Sequence, residues 1–337
     1  MILVTGATGL VGGHLLWHLL NENEQVVATR RITSNLELLY KIFSFYSPTP
    51  EVFLERIEWR IADVLDPDSI RESMKDITGV FHCAAVVSLG NGYNTLLDTN
   101  ILGTKNMVEA ALTGNVRKFC FVSSIAACGH SNNNNPVDEQ TNWEDSPTRS
   151  AYSRSKFYSE QEVWKGIQKG LNAVIVNPGV ILGFSGSDTG SSQLFSQVRK
   201  GLIFYTMGGS GYVDVKDVVK AMMMLMKSNV SAERFVLVGE NCSNRDILSL
   251  MADGFHKPRP VIKVGKIFLI TLGFVAEIIG KIFYFNPIID RGMARSATNR
   301  EYYSSRKMEE RFQFDFTPIS GCISQVCKFI ELQSKKK

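Results

Sequence analysis

A doubly wound α/β fold, with a parallel sheet covered by helices on both faces, is the architecture this sequence predicts. Three observations carry it. Short apolar runs of strand type alternate with stretches of helical period through the first half of the chain. Three glycines, Gly6, Gly9 and Gly12, follow directly on the first of these runs, at a strand-to-helix turn. With 337 residues, 44% of them hydrophobic and 21% charged, the chain has material for one large core or two smaller ones, which sets disorder aside.

Residues 2–5 form the first apolar run, and Leu10, Leu15, Leu16, Leu19 and Leu20 then recur at helical spacing. The alternation continues with a strand at 25–29, a mostly apolar helix at 36–46 and a strand at 57–62. Asp66-Pro67 reads as an N-cap with proline at the first helical position. Strand-type runs at 79–84, 118–123 and 173–177 are separated by helical stretches at 93–112 and 149–169. Strands joined through helices require right-handed crossovers, which make the sheet parallel and bury both its faces. Beyond residue 178 the rhythm loosens. One more strand is expected at 234–239, Ser243-x-x-Asp246 reads as a capping box, and the remainder is mainly helical, with no repeat of solenoid period. The expected division is a sheet domain over residues 1–183, which the strand at 234–239 is free to rejoin, and a smaller, mainly helical lobe over 184–337.

Charge and cysteine usage exclude several classes of function. A formal charge of +4 from 37 basic and 33 acidic residues is mild, and the only basic run, Ser334-Lys335-Lys336-Lys337, reads as a solvated end rather than a nucleic-acid site. Six cysteines occur without a CxxC spacing, so reduced, packed thiols are expected and no metal site. A first strand starting at residue 1 or 2 leaves no room for a signal peptide, and the cytoplasm is the expected location. Residues 267–285 are apolar apart from Glu277 and Lys281. Each of those charges would cost about 2.5–3.5 kcal/mol at the centre of a membrane helix. A packed helix of the lobe is therefore favoured over an amphipathic helix on a membrane surface, and both over a true span.

In a strand-glycine turn-helix unit, glycines let the backbone bend tightly and approach a pyrophosphate, whose charge rests on the helix N-terminus. The stretch Gly6-Ala7-Thr8-Gly9-Leu10-Val11-Gly12 has this context, with one residue more in its first gap than the usual dinucleotide spacing. At the end of the second strand an acidic residue selects a free ribose 2′-hydroxyl, and arginine a 2′-phosphate. Here Arg30 and Arg31 stand next to Thr33 and Ser34, with no carboxylate before Glu37, which favours NADP(H) over NAD(H), Arg31 ahead of Arg30. The bland alternative is a pair of solvated arginines at a sheet edge.

Tyr152 and Lys156 lie four residues apart on a helix, so that an ammonium stands one turn from a phenol. A tyrosine working near neutral pH needs its pKa depressed by about 2–3 units, and a nearby lysine acts in that direction. Alone, such a pair is common on solvated helices. Upstream, an apolar strand ends in Ser123-Ser124, which places hydroxyls at the carboxyl edge of the sheet, where open α/β folds bind ligands. A hydroxyl there steadies a carbonyl oxygen as it gains charge.

The combination of Thr5-Gly6-Ala7-Thr8-Gly9-Leu10-Val11-Gly12, Ala62-Asp63-Val64, His82-Cys83-Ala84-Ala85, Asn100-x-x-Gly103-Thr104, Val122-Ser123-Ser124, Tyr152-x-x-x-Lys156 and Asn177-Pro178-Gly179-Val180 resembles the extended short-chain dehydrogenase/reductase family. The match runs in order from Met1 to about Gly183 and looks closest to the dihydroflavonol-reductase-like branch. The resemblance implies a Rossmann-type sheet and assigns roles residue by residue. Tyr152 becomes the general acid/base, Lys156 the partner of the nicotinamide ribose that lowers the tyrosine pKa, and Ser124 the group that orients the substrate oxygen. Asp63 and Val64 match the adenine-contacting pair, Ala84 and Ala85 the segment beside ribose and phosphates, and Asn100 the asparagine that steadies the sheet edge. Ser123 joins the cofactor-binding set, and Pro178, Gly179 and Val180 match the turn near the nicotinamide carboxamide. Choosing Ser124 over Ser123 as the catalytic serine rests on alignment with the family's Tyr-Gly pair, which here reads Cys128-Gly129.

The function these features imply is an NADP(H)-dependent oxidoreductase that reduces a ketone or aldehyde, or oxidises the matching alcohol. The nearest alternative is a nucleotide-sugar epimerase with tightly bound NAD, against which the arginine pair argues. Sugar dehydration is disfavoured because Ile125-Ala126 stands where those enzymes resemble one another in an Asp-Glu pair. An alternative of another class is a non-catalytic NADP(H)-binding regulatory protein, disfavoured by the retention of Ser124, Tyr152 and Lys156 together. His14 and His18 share a helix face without a third ligand and read as packing or surface residues. Asn132 to Asn135 reads as a polar loop, and Asp214 and Asp217 as acids opening a helix. Apolar bulk at Phe184, Phe195, Phe204, Tyr205 and 267–285 suggests an apolar or aromatic substrate. The family suggests a homodimer through the helices at 93–112 and 149–169.

Overall fold

The computed structural model describes residues 1–87, 93–131, 135–146, 149–186, 190–265, 267–268, 271 and 298–335. In chain order the elements begin with β1 (Ile2–Thr5), α1 (Leu10–Asn21), β2 (Val26–Arg30), α2 (Glu37–Ser44), α3 (Glu51–Leu54), β3 (Glu58–Ile61), α4 (Pro67–Ser73) and β4 (Gly79–His82). They continue with α5 (Tyr93–Thr113), β5 (Lys118–Val122), α6 (Ala151–Gln168), β6 (Ala173–Pro178), β7 (Val180–Leu182), α7 (Ser192–Arg199), β8 (Phe204–Thr206) and β9 (Gly209–Asp214). Then come α8 (Val215–Lys227), β10 (Glu233–Leu237), β11 (Glu240–Ser243), α9 (Asn244–Gly254), β12 (Ile262–Val264), and the helices Arg306–Phe312 and Ile319–Lys335.

Seven parallel strands form the main sheet in the order β10-β6-β5-β4-β1-β2-β3. The winding reverses between β1 and β4, which opens a crevice at their carboxyl ends. Because successive strand residues point to opposite faces, each apolar strand feeds two cores. Leu3, Val27, Val80, Phe119, Phe121 and Ile175 face α4, α5 and α6 through Ile70, Met107, Val108 and Val163. Val4, Ala28, Phe81, Cys120, Val174 and Val176 face α1, α2 and α8 through Leu15, Leu16, Ile42, Phe43, Val218 and Met222.

Helix starts follow their capping residues. Asp66 accepts the Asp68 N–H at 3.1 Å, Ser150 the Ser153 N–H at 3.1 Å, Asp214 the Lys216 N–H at 2.8 Å and Ser243 the Asp246 N–H at 3.1 Å. Asp217 then accepts both the N–H (2.7 Å) and the hydroxyl (3.0 Å) of Thr317, which pins the C-terminal segment to α8.

The last strand of the sheet, β10, follows a long excursion and pairs with β6, so the sheet closes only after residues 184–214 have passed through the smaller lobe and α8 has come back onto the sheet. That lobe carries, beside its helices, two small sheets, β11-β9-β7 and β12-β8, which periodicity does not reveal. Its core joins Leu182, Phe195, Tyr212, Met251 and Phe255 to Ile323, Cys322 and Cys327. All six cysteines are free. Among the described residues no helix is long and apolar enough to cross a membrane, and most of 267–285 lies outside them. Most of the asparagine stretch 132–135 also lies outside.

Two histidines are locked into this framework as neutral side chains. His14 of α1 bonds the Tyr46 hydroxyl through Nδ1 and the Phe184 carbonyl through Nε2 (2.9 Å). His82, at the end of β4, bonds Thr5 Oγ1 through Nδ1 (2.7 Å) and Thr104 Oγ1 through Nε2 (3.3 Å). The donors along this second chain admit one assignment. Thr104 donates to the Asn100 carbonyl, so it accepts from Nε2–H, and Thr5, which accepts the Ala84 N–H, donates to Nδ1. Burial lowers the pKa of both rings to about 3, with the charge of Lys156 adding to the effect on His82.

Phe81 is fully buried, and Phe81→Ala is expected to lower stability by about 3–5 kcal/mol in urea unfolding. Since both histidines titrate below their ordinary value of 6.5, the stability they confer is complete above that pH and is lost as pH falls toward 3. Each contributes a slope of about 1.4 kcal/mol per pH unit, which urea titrations at successively lower pH will read directly.

Candidate active site

The glycine turn is shaped by what a side chain would hit. Gly6 has a φ of +65°, and a Cβ there would lie 2.7 Å from the Ala84 nitrogen, at the end of β4. A Cβ on Gly12 would lie 2.3 Å from the Gly6 carbonyl oxygen. Gly9 donates its N–H to Gly6 O at 2.9 Å and caps α1 with no side chain of its own. No acidic residue occupies the first turn of α1, which Leu10 and Val11 begin, so its free N–H groups face the crevice beside buried Ala7 and half-buried Thr8. This cradle, bare at its three glycines, without a carboxylate and positive in field, fits the pyrophosphate of a dinucleotide.

At the end of β2 the two arginines occupy different surroundings. The Arg30 guanidinium lies over the Trp59 ring, 5.9 Å from its centroid, with a buried Nε that has no hydrogen bond. Arg31 is exposed and opens a tight turn, its N–H donating to Ser34 Oγ at 3.0 Å while the Ser34 N–H returns to its carbonyl at 3.0 Å. Across the β3 loop, Asp63 accepts the Leu65 N–H at 3.0 Å. The Val64 carbonyl accepts from Asn106 at 2.8 Å, and its side chain fills the notch left by Gly103.

Asn100, buried on α5, holds the segment after Ala84 and Ala85 in place. Its Oδ1 accepts the Val86 N–H at 2.7 Å, and its Nδ2 donates to Val86 O and to Ser155 Oγ, each at 2.9 Å. Ser155 sits between Tyr152 and Lys156, so this one amide ties the edge of β4 to the helix carrying both.

The structure brings Ser124, Tyr152 and Lys156 together. Ser124, extended at the end of β5, accepts the Ala126 N–H at 3.1 Å, and its hydroxyl lies on the Tyr152 side of the segment. Ser123 Oγ is buried without a hydrogen-bond partner, on the Glu160 side of the strand. Ser153 donates to Ala126 O at 2.6 Å and clamps the start of α6 onto this segment. Lys156 is 2% exposed; its ammonium donates to Val122 O at 2.7 Å and lies 4.8 Å from the Phe121 ring centroid. Burial lowers its pKa to about 8, against the raising effects of Glu160 and Cys83. Burial raises the pKa of the Tyr152 phenol, with the neighbouring Ser124 hydroxyl acting the other way. Catalysis requires the opposite direction, and within the chain Lys156 serves the Val122 carbonyl rather than the phenol.

Pro178 ends β6 and Val180 begins β7. Between them, Gly179 is explained by strand packing, since a Cβ there would lie 2.4 Å from the Gly211 carbonyl oxygen. His82, Glu160 and Arg234, to which the sequence assigned no role, flank this site. One signal for Glu160 was available: it continues the four-residue spacing of Tyr152 and Lys156.

Residues 2–239 match the NAD dependent epimerase/dehydratase family. A Synechocystis protein named provisionally as a dihydroflavonol 4-reductase is 27% identical over 97% of this chain and 94% of its own length. Cinnamoyl-CoA reductase 1 of Petunia hybrida is 26% identical over 98% and 92%. The crystal structure of gox2253 superposes with a TM-score of 0.82 at 25% identity, covering 99% of each chain. With the glycine cradle, the seven-stranded parallel sheet and a match over most of the chain, this protein belongs to the NAD dependent epimerase/dehydratase family, on its dihydroflavonol-reductase-like branch.

Proposed function

We propose that this protein is an NADP(H)-dependent reductase of an apolar or aromatic ketone or aldehyde, or the dehydrogenase of the matching alcohol. The observation that carries the reading is the docking of α6 on the end of β5, through Ser153 to Ala126 O and Lys156 to Val122 O, which sets Ser124 beside Tyr152 with Lys156 one turn further along the helix. When bound, the nicotinamide supplies or accepts the hydride. The chain's own groups do the rest. Tyr152 delivers a proton to the substrate oxygen in reduction and removes it in oxidation, and Ser124 donates a hydrogen bond to that oxygen as it gains charge. Lys156, held between Val122 O and the Phe121 face one turn from Tyr152, would hold the nicotinamide ribose and favour the ionised phenol. The α1 N-terminus holds the pyrophosphate, Asp63 and Val64 flank the adenine, and Arg31 with Ser34 receives a 2′-phosphate, Arg30 lining the same edge.

Two features support an apolar substrate. Phe184, beside the Gly183 contact with Leu10 of the glycine turn, belongs to an aromatic cluster with Phe45 and Phe329. The name of the Petunia relative also carries an aromatic acyl group.

Calorimetric titration with NADPH and NADH tests the cofactor assignment. Arg31→Ala is expected to weaken NADPH binding by about ten- to a hundredfold, as for loss of a charged hydrogen bond, while leaving NADH unchanged. Retention of NAD until denaturation would move the nucleotide-sugar epimerase to the front. With aromatic aldehydes and NADPH, Tyr152→Phe is expected to lower kcat by about 10²–10⁴-fold, and an unaltered rate would remove Tyr152 from the reaction.

A further inference from the structure

Behind the hydroxyl pair lies a buried polar cluster to which the proposed reaction gives no role. Glu160 is 1% exposed and stands one helical turn beyond Lys156 on the same face of α6. Its carboxylate accepts a hydrogen bond from Asn177 Nδ2 and faces the Arg234 guanidinium of β10 at 3.5 Å. Arg234 is itself fixed, donating to the Glu139 carbonyl at 2.9 and 2.6 Å and to the Thr141 carbonyl at 3.3 Å. Asn177 is fully buried in β6 and uses the same Nδ2 to donate to the Ser124 carbonyl at 3.0 Å. Polar contacts therefore run from Arg234 through Glu160 and Asn177 to the backbone of the residue whose hydroxyl lies beside Tyr152.

A buried carboxylate is a poor device for stability alone, because apolar side chains of similar volume would hold the helix to the strands at least as well. Apolar packing cannot aim a donor at the Ser124 carbonyl, nor keep a negative charge one turn from a buried ammonium. We propose that Glu160 and Asn177 are positioning residues, a clamp anchored by Arg234 that fixes Ser124 through its carbonyl against the Tyr152 phenol. Glu160 has a second effect, on charge. It opposes the burial that lowers the Lys156 pKa, in surroundings that also include Arg234 from β10, His82 and Cys83 at the end of β4, and Cys128 after β5.

The kinetic part of the test rests on the reductase reading; the spectroscopic part does not. Full-length wild type, Glu160→Gln and Asn177→Leu are compared using NADPH with 4-nitrobenzaldehyde as probe, and Tyr152 is followed by ¹³Cζ-tyrosine NMR, its signal assigned with Tyr152→Phe. A glutamine at 160 satisfies Asn177 only by turning its amide nitrogen toward Arg234, donor against donor. In both variants kcat is expected to fall about ten- to a hundredfold, as for a reacting group displaced by about an ångström, with NADPH affinity unchanged. In Glu160→Gln the alkaline limb of the kcat profile moves to lower pH by about one unit, because the carboxylate that keeps Lys156 protonated is gone. Glu160→Asp restores the limb, an outcome that a merely structural contact would not produce. Wild-type kcat together with an unmoved Tyr152 signal overturns the clamp. A wild type that fails to oxidise NADPH with the probe counts against the reductase reading; the Tyr152 signal then decides the clamp alone, a shift supporting it and no shift overturning it. Asn177→Leu removes one donor each from the Ser124 carbonyl, which keeps the Ala127 N–H, and from the Glu160 carboxylate, which keeps Arg234; if it does not fold, Glu160→Gln decides.

Discussion

At residue 6 the chain passes so close to the end of β4 that no side chain fits between them. Much of the site's geometry depends on that approach. It lets β1 stop at Thr5 and turn at once into α1, so the helix N-terminus faces the crevice where the winding of the sheet reverses. It also brings the Thr5 hydroxyl within reach of both the Ala84 N–H and His82. A larger residue at position 6 or 12 would disturb a phosphate cradle and a hydrogen-bonded chain together, because both use the same few ångströms.

The site is supported by buried polar side chains, most of them paired, with Ser123 Oγ, Asn177 Oδ1 and Arg30 Nε as exceptions. His82 and Asn100 connect β1, β4, α5 and α6 through side chains with one consistent set of donors and acceptors. Such networks hold their members rigidly when complete and are costly when any partner is missing. They place Ser124, Tyr152 and Lys156 on two elements that move as one, since α6 is fastened to the end of β5 by both Ser153 and Lys156.

The main sheet and the cradle were legible because their signals are local. Alternating apolar residues in β4, β5 and β6 feed both cores, and the caps at Asp66, Asp214 and Ser243 sit where their side chains predict. The small lobe was less legible. β7, β8 and β12 are three residues each, and β9 reads Gly-Ser-Gly-Tyr-Val-Asp, with no apolar run; these strands exist by pairing with distant partners. Tyr152 and Lys156 could be found by spacing. The direction of the Tyr152 pKa could not, because burial of the phenol and the engagement of Lys156 with Val122 are products of the whole fold. Gly179 has the residue type expected near a cofactor, yet the neighbouring strand that requires it lies more than thirty residues further along the chain.

The return of β10 to the far edge of the sheet has a consequence for synthesis. Until residues 233–237 leave the ribosome, β6 presents an open row of backbone donors and acceptors, the kind of edge that recruits other strands. The lobe residues must therefore emerge, and fold or wait, before the nucleotide-binding sheet is finished. The two parts of the molecule are thus bound by the order in which they are made, and a boundary drawn near residue 183 separates neighbours in sequence that the folding chain cannot complete apart.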